Sequence, residues 1–357
     1  MTAPGLRVVE LAGTPREVGL AHGEELRSII GDGLRRWFAE IEARRRIAAD
    51  AYIASFLAAT DFVRSIETFT PALLEEVRGI AEGARQSFET IFAYQLMDEE
   101  WWYRTSLARS RRAAIEACSA VGVKRTDGTS LVAQNMDLPS VYDGTQVLLH
   151  LRPADGPEAL VFGPAGMIGT TGLNRSGVGL CCNSLTQLRH SPDGLPVAFV
   201  FRGALAREKF EDALTVLQTV PHATGQNYLV GTPGVVKNLE CSTGQVREVP
   251  LVGAQVMHTN HPLANEDIDV DAARKERGST TVERLARLRR DLAGLGERVT
   301  VEDVMRTLSD REVPVCVPRG SDWMTLGSLV MELSTEPVLH IAPGPPADTP
   351  YSRVGFS

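Results

Sequence analysis

The spacing of apolar residues changes near residue 118, and this change limits the fold more than any other feature of the chain. Before it, residues 14 to about 105 read as helices. Thr14-Pro15-Arg16-Glu17 is a capping box with proline at the first helical position. Val18, Ala21, Leu26, Ile30, Leu34, Trp37 and Phe38 then recur at helical spacing. A second start, Thr70-Pro71, leads into Leu73, Leu74, Val77, Ile80, Ala81, Ala84 and Phe88, again one helical face. Trp101 and Trp102 close this half and read as core anchors. After Cys118 the text turns to strands, among them residues 129–135, 145–151, 159–162, 177–183, 227–230 and 235–239. Asp127-Gly128, Asp143-Gly144 and Asp193-Gly194 supply turns between them. Helices return at 197–207 and 210–220, and again behind caps at Ser279 or Thr280 and at Thr300. A strand pair at 325–333 and 337–341 is expected to end the folded part. Helices flanking two sets of strands predict an α+β layered sandwich.

Composition removes several function classes. With 43% hydrophobic and 23% charged residues the 357-residue chain has the makings of a soluble core. A net charge of −8 disfavours a nucleic-acid partner. The basic runs at Arg44–Arg46 and Arg109–Arg112 read as solvated surface, and the charged stretch 265–277 as a surface loop. No run of about 20 apolar residues is present, so no membrane span is expected. Met1–Gly5 lacks a basic and an apolar region, so no signal peptide is expected. Five cysteines form no CxxC pair, which points to a reducing compartment and a cytoplasmic location. Vicinal Cys181-Cys182 reads as a pair alternating across one strand.

Polar sequences interrupt three strand regions. They are Asn135-Met136-Asp137, Asn183-Ser184 and His258-Thr259-Asn260-His261. Each alone satisfies a turn as readily as it builds a site. Cys118, between small residues at the junction of the two halves, reads alone as a small buried hydrophobe. His258 and His261 lack an accompanying carboxylate motif, so no metal site is expected.

Taken together and in order, these blocks resemble the acyl-coenzyme A:isopenicillin N acyltransferase family of self-processing enzymes, and more distantly the bile-salt and penicillin V amidases. The matching residues run from Arg16–Gly23 through Cys118-Ser119, Gln134–Asp137, Ile168–Gly179 and His258–His261 to Thr325-Leu326. The resemblance implies a four-layer αββα sandwich of the N-terminal-nucleophile hydrolase type. It implies cleavage between Ala117 and Cys118, giving a helical segment 1–117 and a catalytic core 118–357 that stay associated. Ala117 departs from the glycine usual at that place. The freed α-amine would then serve Cys118 as its base. The two ordinary pKa values, near 8.5 for a thiol and about 8 for an α-amine, allow that proton transfer near neutral pH. In this scheme Asn260 donates to the oxyanion, Asp137 orients the α-amine, and Asn183 completes oxyanion or substrate contacts. The family's arginine before Thr325-Leu326 is missing, because Asp322-Trp323-Met324 stands there; Arg319 is the candidate replacement. The implied chemistry is hydrolysis or transfer of an acyl group from a small-molecule amide, with an acyl donor or acceptor as second partner and no cofactor. Two other readings stay open: a catalytically degenerate relative used for binding or assembly, and a papain-like thiol enzyme with a separate histidine base.

Overall fold

The computed structural model describes residues 5–107, 118–270 and 279–356. Ala117, Arg109–Arg112 and residues 271–277 therefore lie outside the described residues. The first half contributes β1 (Arg7–Gly13), α1 (Pro15–Glu25), α2 (Arg27–Arg45), α3 (Ala49–Ala58), α4 (Phe62–Phe69), α5 (Pro71–Ala84), α6 (Phe88–Gln95) and α7 (Met97–Leu107). Then follow β2 (Ser119–Lys124), β3 (Ser130–Pro139), β4 (Gln146–Pro153), β5 (Ala159–Pro164), β6 (Thr171–Asn174), β7 (Gly179–Ser184), α8 (Val197–Leu205) and α9 (Phe210–Thr219). The chain continues with β8 (Gln226–Thr232), β9 (Val235–Cys241), β10 (Val246–Glu248) and β11 (Gln255–His258). It closes with α10 (Thr281–Leu292), α11 (Val301–Leu308), β12 (Trp323–Leu333), β13 (Val338–Ala342) and β14 (Ser352–Gly355).

Among the described residues the strands form two sheets. One runs β1-β4-β5-β6-β7-β8-β9-β10 and the other β11-β2-β3-β12-β13-β14. The sheets face each other: Val132 and Leu333 reach the bare backbones of Gly231 and Gly179 opposite. On the outer face of the six-stranded sheet, Val121, Leu131, Ala133 and Val330 pack with Leu285, Leu288, Val304 and Leu308 of α10 and α11. The other sheet is covered by α8, α9 and the N-terminal helices. The result is the expected four-layer αββα sandwich. β3 shows why the layers hold, since all ten of its residues are buried. Alternate side chains feed the inter-sheet core and the core under α10 and α11.

Sequence cues place the helices well. The Thr14 hydroxyl accepts from the Glu17 amide, and the Glu17 carboxylate accepts from the Thr14 amide at 2.8 Å. Thr300 and Asp303 form a second capping box ahead of α11. α1 and α5 cross closely because Gly19, Gly23, Gly79 and Gly83 face each other there; a methyl on any of them would run into the opposite backbone.

Three expectations need correction. The first half is not purely helical: β1 pairs in parallel with β4, so residues 7–13 belong to the eight-stranded sheet. Its few apolar residues, ahead of the first cap, are too short a run to mark a period. The fold does not end at 341, because β14 adds an edge strand on β13. Nor is the loop at 265–267 wholly on the surface: only Glu266 is exposed there. Asn265 and Asp267 are buried, Asn265 donating to the Glu240 carbonyl and Asp267 accepting from Ser242.

Candidate active site

The ladder itself assembles the site. Ser119 pairs with Asn135 on β3, and Ala120 pairs with His258 on β11. Antiparallel registers step one residue each way. Extended past the paired residues, they carry Cys118 alongside Met136 on one side and Asn260 on the other. Cys118 is half-buried immediately before β2, and its thiol points to the Asp137 carbonyl oxygen at 3.8 Å. Cys118, Asp137 and Asn260 line one narrow cleft of about 20 Å³, together with Met97, Asp98, Trp101, Met136, Leu138, Thr170, Cys182 and Ser184. The expected alternation at the vicinal cysteines is present. Cys181 is fully buried, whereas Cys182 reaches the cleft.

Asp137 is the least satisfied group there. It is 1% exposed, and neither carboxylate oxygen has a hydrogen-bond partner among the described residues. Burial pushes its pKa up to about 8, while the nearby Thr325 hydroxyl and Arg284 charge pull more weakly the other way. Two further carboxyls lie on α7. Asp98 accepts from the Ser184 hydroxyl and from Gln226 at 2.8 Å, and burial raises its pKa. Behind it Glu99 accepts from the Val197 amide at 3.0 Å. Burial and the neighbouring Asp98 charge raise its pKa to about 8. The charged side chains lining the cleft are thus both acidic among the described residues.

Asn260 is held on three sides. Its amide N–H donates to the Thr281 hydroxyl at 2.7 Å, its Nδ2 to the Ser184 carbonyl at 3.1 Å, and its Oδ1 accepts from Arg284 at 3.0 Å. Asn183 lies behind the cleft rather than in it. Its Nδ2 braces the His258 and Thr259 carbonyls, both at 3.3 Å, and its Oδ1 accepts from Gln134 at 3.1 Å. His258 spends both ring nitrogens, on the Thr259 carbonyl at 2.7 Å and on Glu240 at 2.6 Å. Burial opposes the Glu240 charge. The hydrogen bonds from His258 and from the Leu263 and Ala264 amides outweigh it and hold the carboxyl below its ordinary value. His261 contacts the Thr281 hydroxyl at 2.9 Å.

Arg319 is not brought to the cleft. It pairs with Asp143 at 3.2 Å on the surface. The cation beside Cys118 is Arg284, on α10, whose side chain is fully buried. Its signal in the sequence was faint: one arginine in the charged run Arg284–Arg290, at a helical position shared with Leu285 and Leu288. Asp98 was equally hidden, within an acidic first helical turn that is ordinary for a helix start. Among the described residues no three His, Cys, Asp or Glu side chains gather in a way that would hold a metal. Among the same residues no helix is long and apolar enough to cross a membrane.

A family model described as acyl-coenzyme A:6-aminopenicillanic acid acyl-transferase matches residues 123–337. Among solved structures, a mutant conjugated bile acid hydrolase from Clostridium perfringens is similar at 13% identity. That alignment covers 67% of this chain and 92% of the other, with a TM-score of 0.45. Penicillin V acylase from Agrobacterium tumefaciens is similar at 13% identity, covering 67% and 86%, with a TM-score of 0.44.

Proposed function

The chain belongs to the acyl-coenzyme A:6-aminopenicillanic acid acyl-transferase family, and from that premise we propose that it is a self-processing amidohydrolase or acyltransferase working through a thioester on Cys118. The observation that carries this reading is the convergence of Cys118, Asp137 and Asn260 on one small cleft. Breaking the 117–118 peptide bond frees the α-amine of Cys118. That amine takes the thiol proton, and Sγ attacks the amide carbon of the substrate. The oxygen of the tetrahedral intermediate carries the developing charge, and Asn260 Nδ2 donates to it. Collapse breaks the C–N bond; the α-ammonium returns its proton to the departing amine, leaving the acyl group on Sγ. Water then resolves the thioester in hydrolysis, or an acceptor amine resolves it in transfer. Asp137 provides a buried carboxylate for the α-ammonium, which is the partner its two unpaired oxygens lack.

Met97, Trp101, Met136 and Leu138 give the cleft an apolar wall, suited to a modest acyl chain on a small amide. Two fragments, 1–117 and 118–357, would stay together because β1 of the first completes the sheet of the second. Five cysteines that form no CxxC pair suit a reducing compartment such as the cytoplasm. The test is an acid quench during turnover of butanoyl p-nitroanilide, followed by peptide mass mapping. The expected result is a butanoyl group on the peptide beginning at Cys118 and none in Cys118→Ala. An acyl group on another residue, or turnover by Cys118→Ala, would overturn the assignment.

A further inference from the structure

Arg284 holds two parts of the cleft with one rigid group. Its Nη1 donates to the Cys118 carbonyl at 2.6 Å and to the Ser119 hydroxyl at 3.1 Å. Its Nη2 donates to Asn260 Oδ1 at 3.0 Å, and its Nε to the Thr280 hydroxyl at 3.1 Å. A guanidinium has donors only. Facing it, a carboxamide must present its oxygen, so the opposite edge of Asn260 must be the NH2. One hydrogen of that NH2 reaches the Ser184 carbonyl, and Asn260 lines the cleft beside Cys118. The Ser184 carbonyl and the guanidinium together disfavour the flipped amide, which would aim an oxygen at an oxyanion, but of the two only Arg284 also ties Asn260 to the Cys118 backbone. The planar fork also fixes the distance between the Cys118 backbone and the Asn260 side chain, which a single ammonium does not.

We infer that Arg284 is a positioning residue for acyl transfer: it sets the Asn260 carboxamide with its NH2 toward the cleft and keeps it in register with Cys118. This rests on the reading of Asn260 as oxyanion donor. Arg284 itself acts through Asn260 and Cys118 and touches no reacting atom.

Two reagents that meet the same thiol separate this role from general support of the fold. p-Nitrophenyl acetate acylates Cys118 through a tetrahedral oxyanion, releasing p-nitrophenolate as the thioester forms. Iodoacetamide alkylates the sulfur by displacing iodide and forms no oxyanion. Both rates are measured on the full mature protein for wild type, Arg284→Lys, Asn260→Ala and the double variant. Arg284→Lys is expected to slow acylation about 10- to 100-fold, up to the cost of a lost oxyanion donor, with alkylation within about 3-fold of wild type. The double variant should lose little beyond Asn260→Ala, since both changes remove the same donor. Equal slowing of both reactions, unchanged acylation, or losses that add in the double variant would overturn the inference. If Asn260→Ala leaves wild-type acylation untouched while Cys118 still reacts, the underlying reading of Asn260 has failed instead. Where Arg284→Lys does not fold, Thr280→Val carries the test by freeing Nε alone. It should lower the acylation-to-alkylation ratio several-fold, and a wild-type ratio would overturn the inference.

Discussion

Asp137 should change the sign of its effect on stability when the chain is cut. In an uncut chain, Cys118→Ala, its carboxyl is buried with no partner for either oxygen among the described residues, and its pKa stands at about 8 against an ordinary 3.8. A carboxyl with a raised folded pKa is fully tolerated below the unfolded value. Stability is then lost as pH rises from about 4 towards 8, because the unfolded chain releases a proton that the folded chain retains. The slope is about 1.4 kcal/mol per pH unit, which accumulates to about 4 kcal/mol at pH 7. Asn has nearly the shape of a protonated Asp and no charge to lose. Adding Asp137→Asn to Cys118→Ala should therefore stabilise the chain, with a gap that widens by about 3 kcal/mol between pH 5 and pH 7. On the proposed mechanism the α-ammonium of the cut wild type would face Asp137. There the same substitution should destabilise, since it leaves a buried charge unpaired. Urea unfolding at pH 5, 6 and 7 measures both gaps. A pH-independent gap in the uncut pair, or the same sign in both backgrounds, would refute the partnership of Asp137 with the amine.

Two further outcomes follow from buried charge. His22 is fully buried, and its Nε2 accepts from the Gly166 amide at 2.9 Å. Burial and then the Arg202 charge depress its pKa to about 3. A depressed histidine contributes stability above its unfolded pKa near 6.5 and loses it as pH falls towards 3. Relative to His22→Gln, wild-type stability should therefore drop by about 1.4 kcal/mol per pH unit below 6.5 in urea melts, and a constant difference would contradict this. Asp98 and the absence of a basic lining residue among those described should favour neutral or cationic acyl groups. Wild-type kcat/KM should be at least about 10-fold lower for succinyl than for butanoyl p-nitroanilide, and Asp98→Asn should shrink the ratio; equal ratios in the two proteins would remove Asp98 from substrate selection.

The sequence made the layers legible because their signals are local. Caps at Thr14 and Thr300, the helical face from Leu73 to Ala84, and the strands around residues 131 and 180 depend on neighbours a few positions apart. β1 and β14 were hidden because an edge strand of four to seven residues is defined by its partner across the sheet. The site divided in the same way. Cys118, Asp137 and Asn260 carried family motifs, and the ladder register brings them to one cleft. Arg284 reaches that cleft from α10, 166 residues after Cys118. Nothing in its own neighbourhood distinguishes it from the arginines beside it. Arg319 stands close in sequence to Thr325, but its side chain turns to Asp143.

The proposed mechanism requires Cys118 to be the first residue of its own chain. Intact mass and N-terminal sequencing of purified, catalytically active protein test it most directly. Two polypeptides are expected under denaturing conditions, the larger beginning Cys118-Ser119-Ala120-Val121, with activity that tracks the cut fraction. Full activity from a single unbroken chain of 357 residues would contradict it.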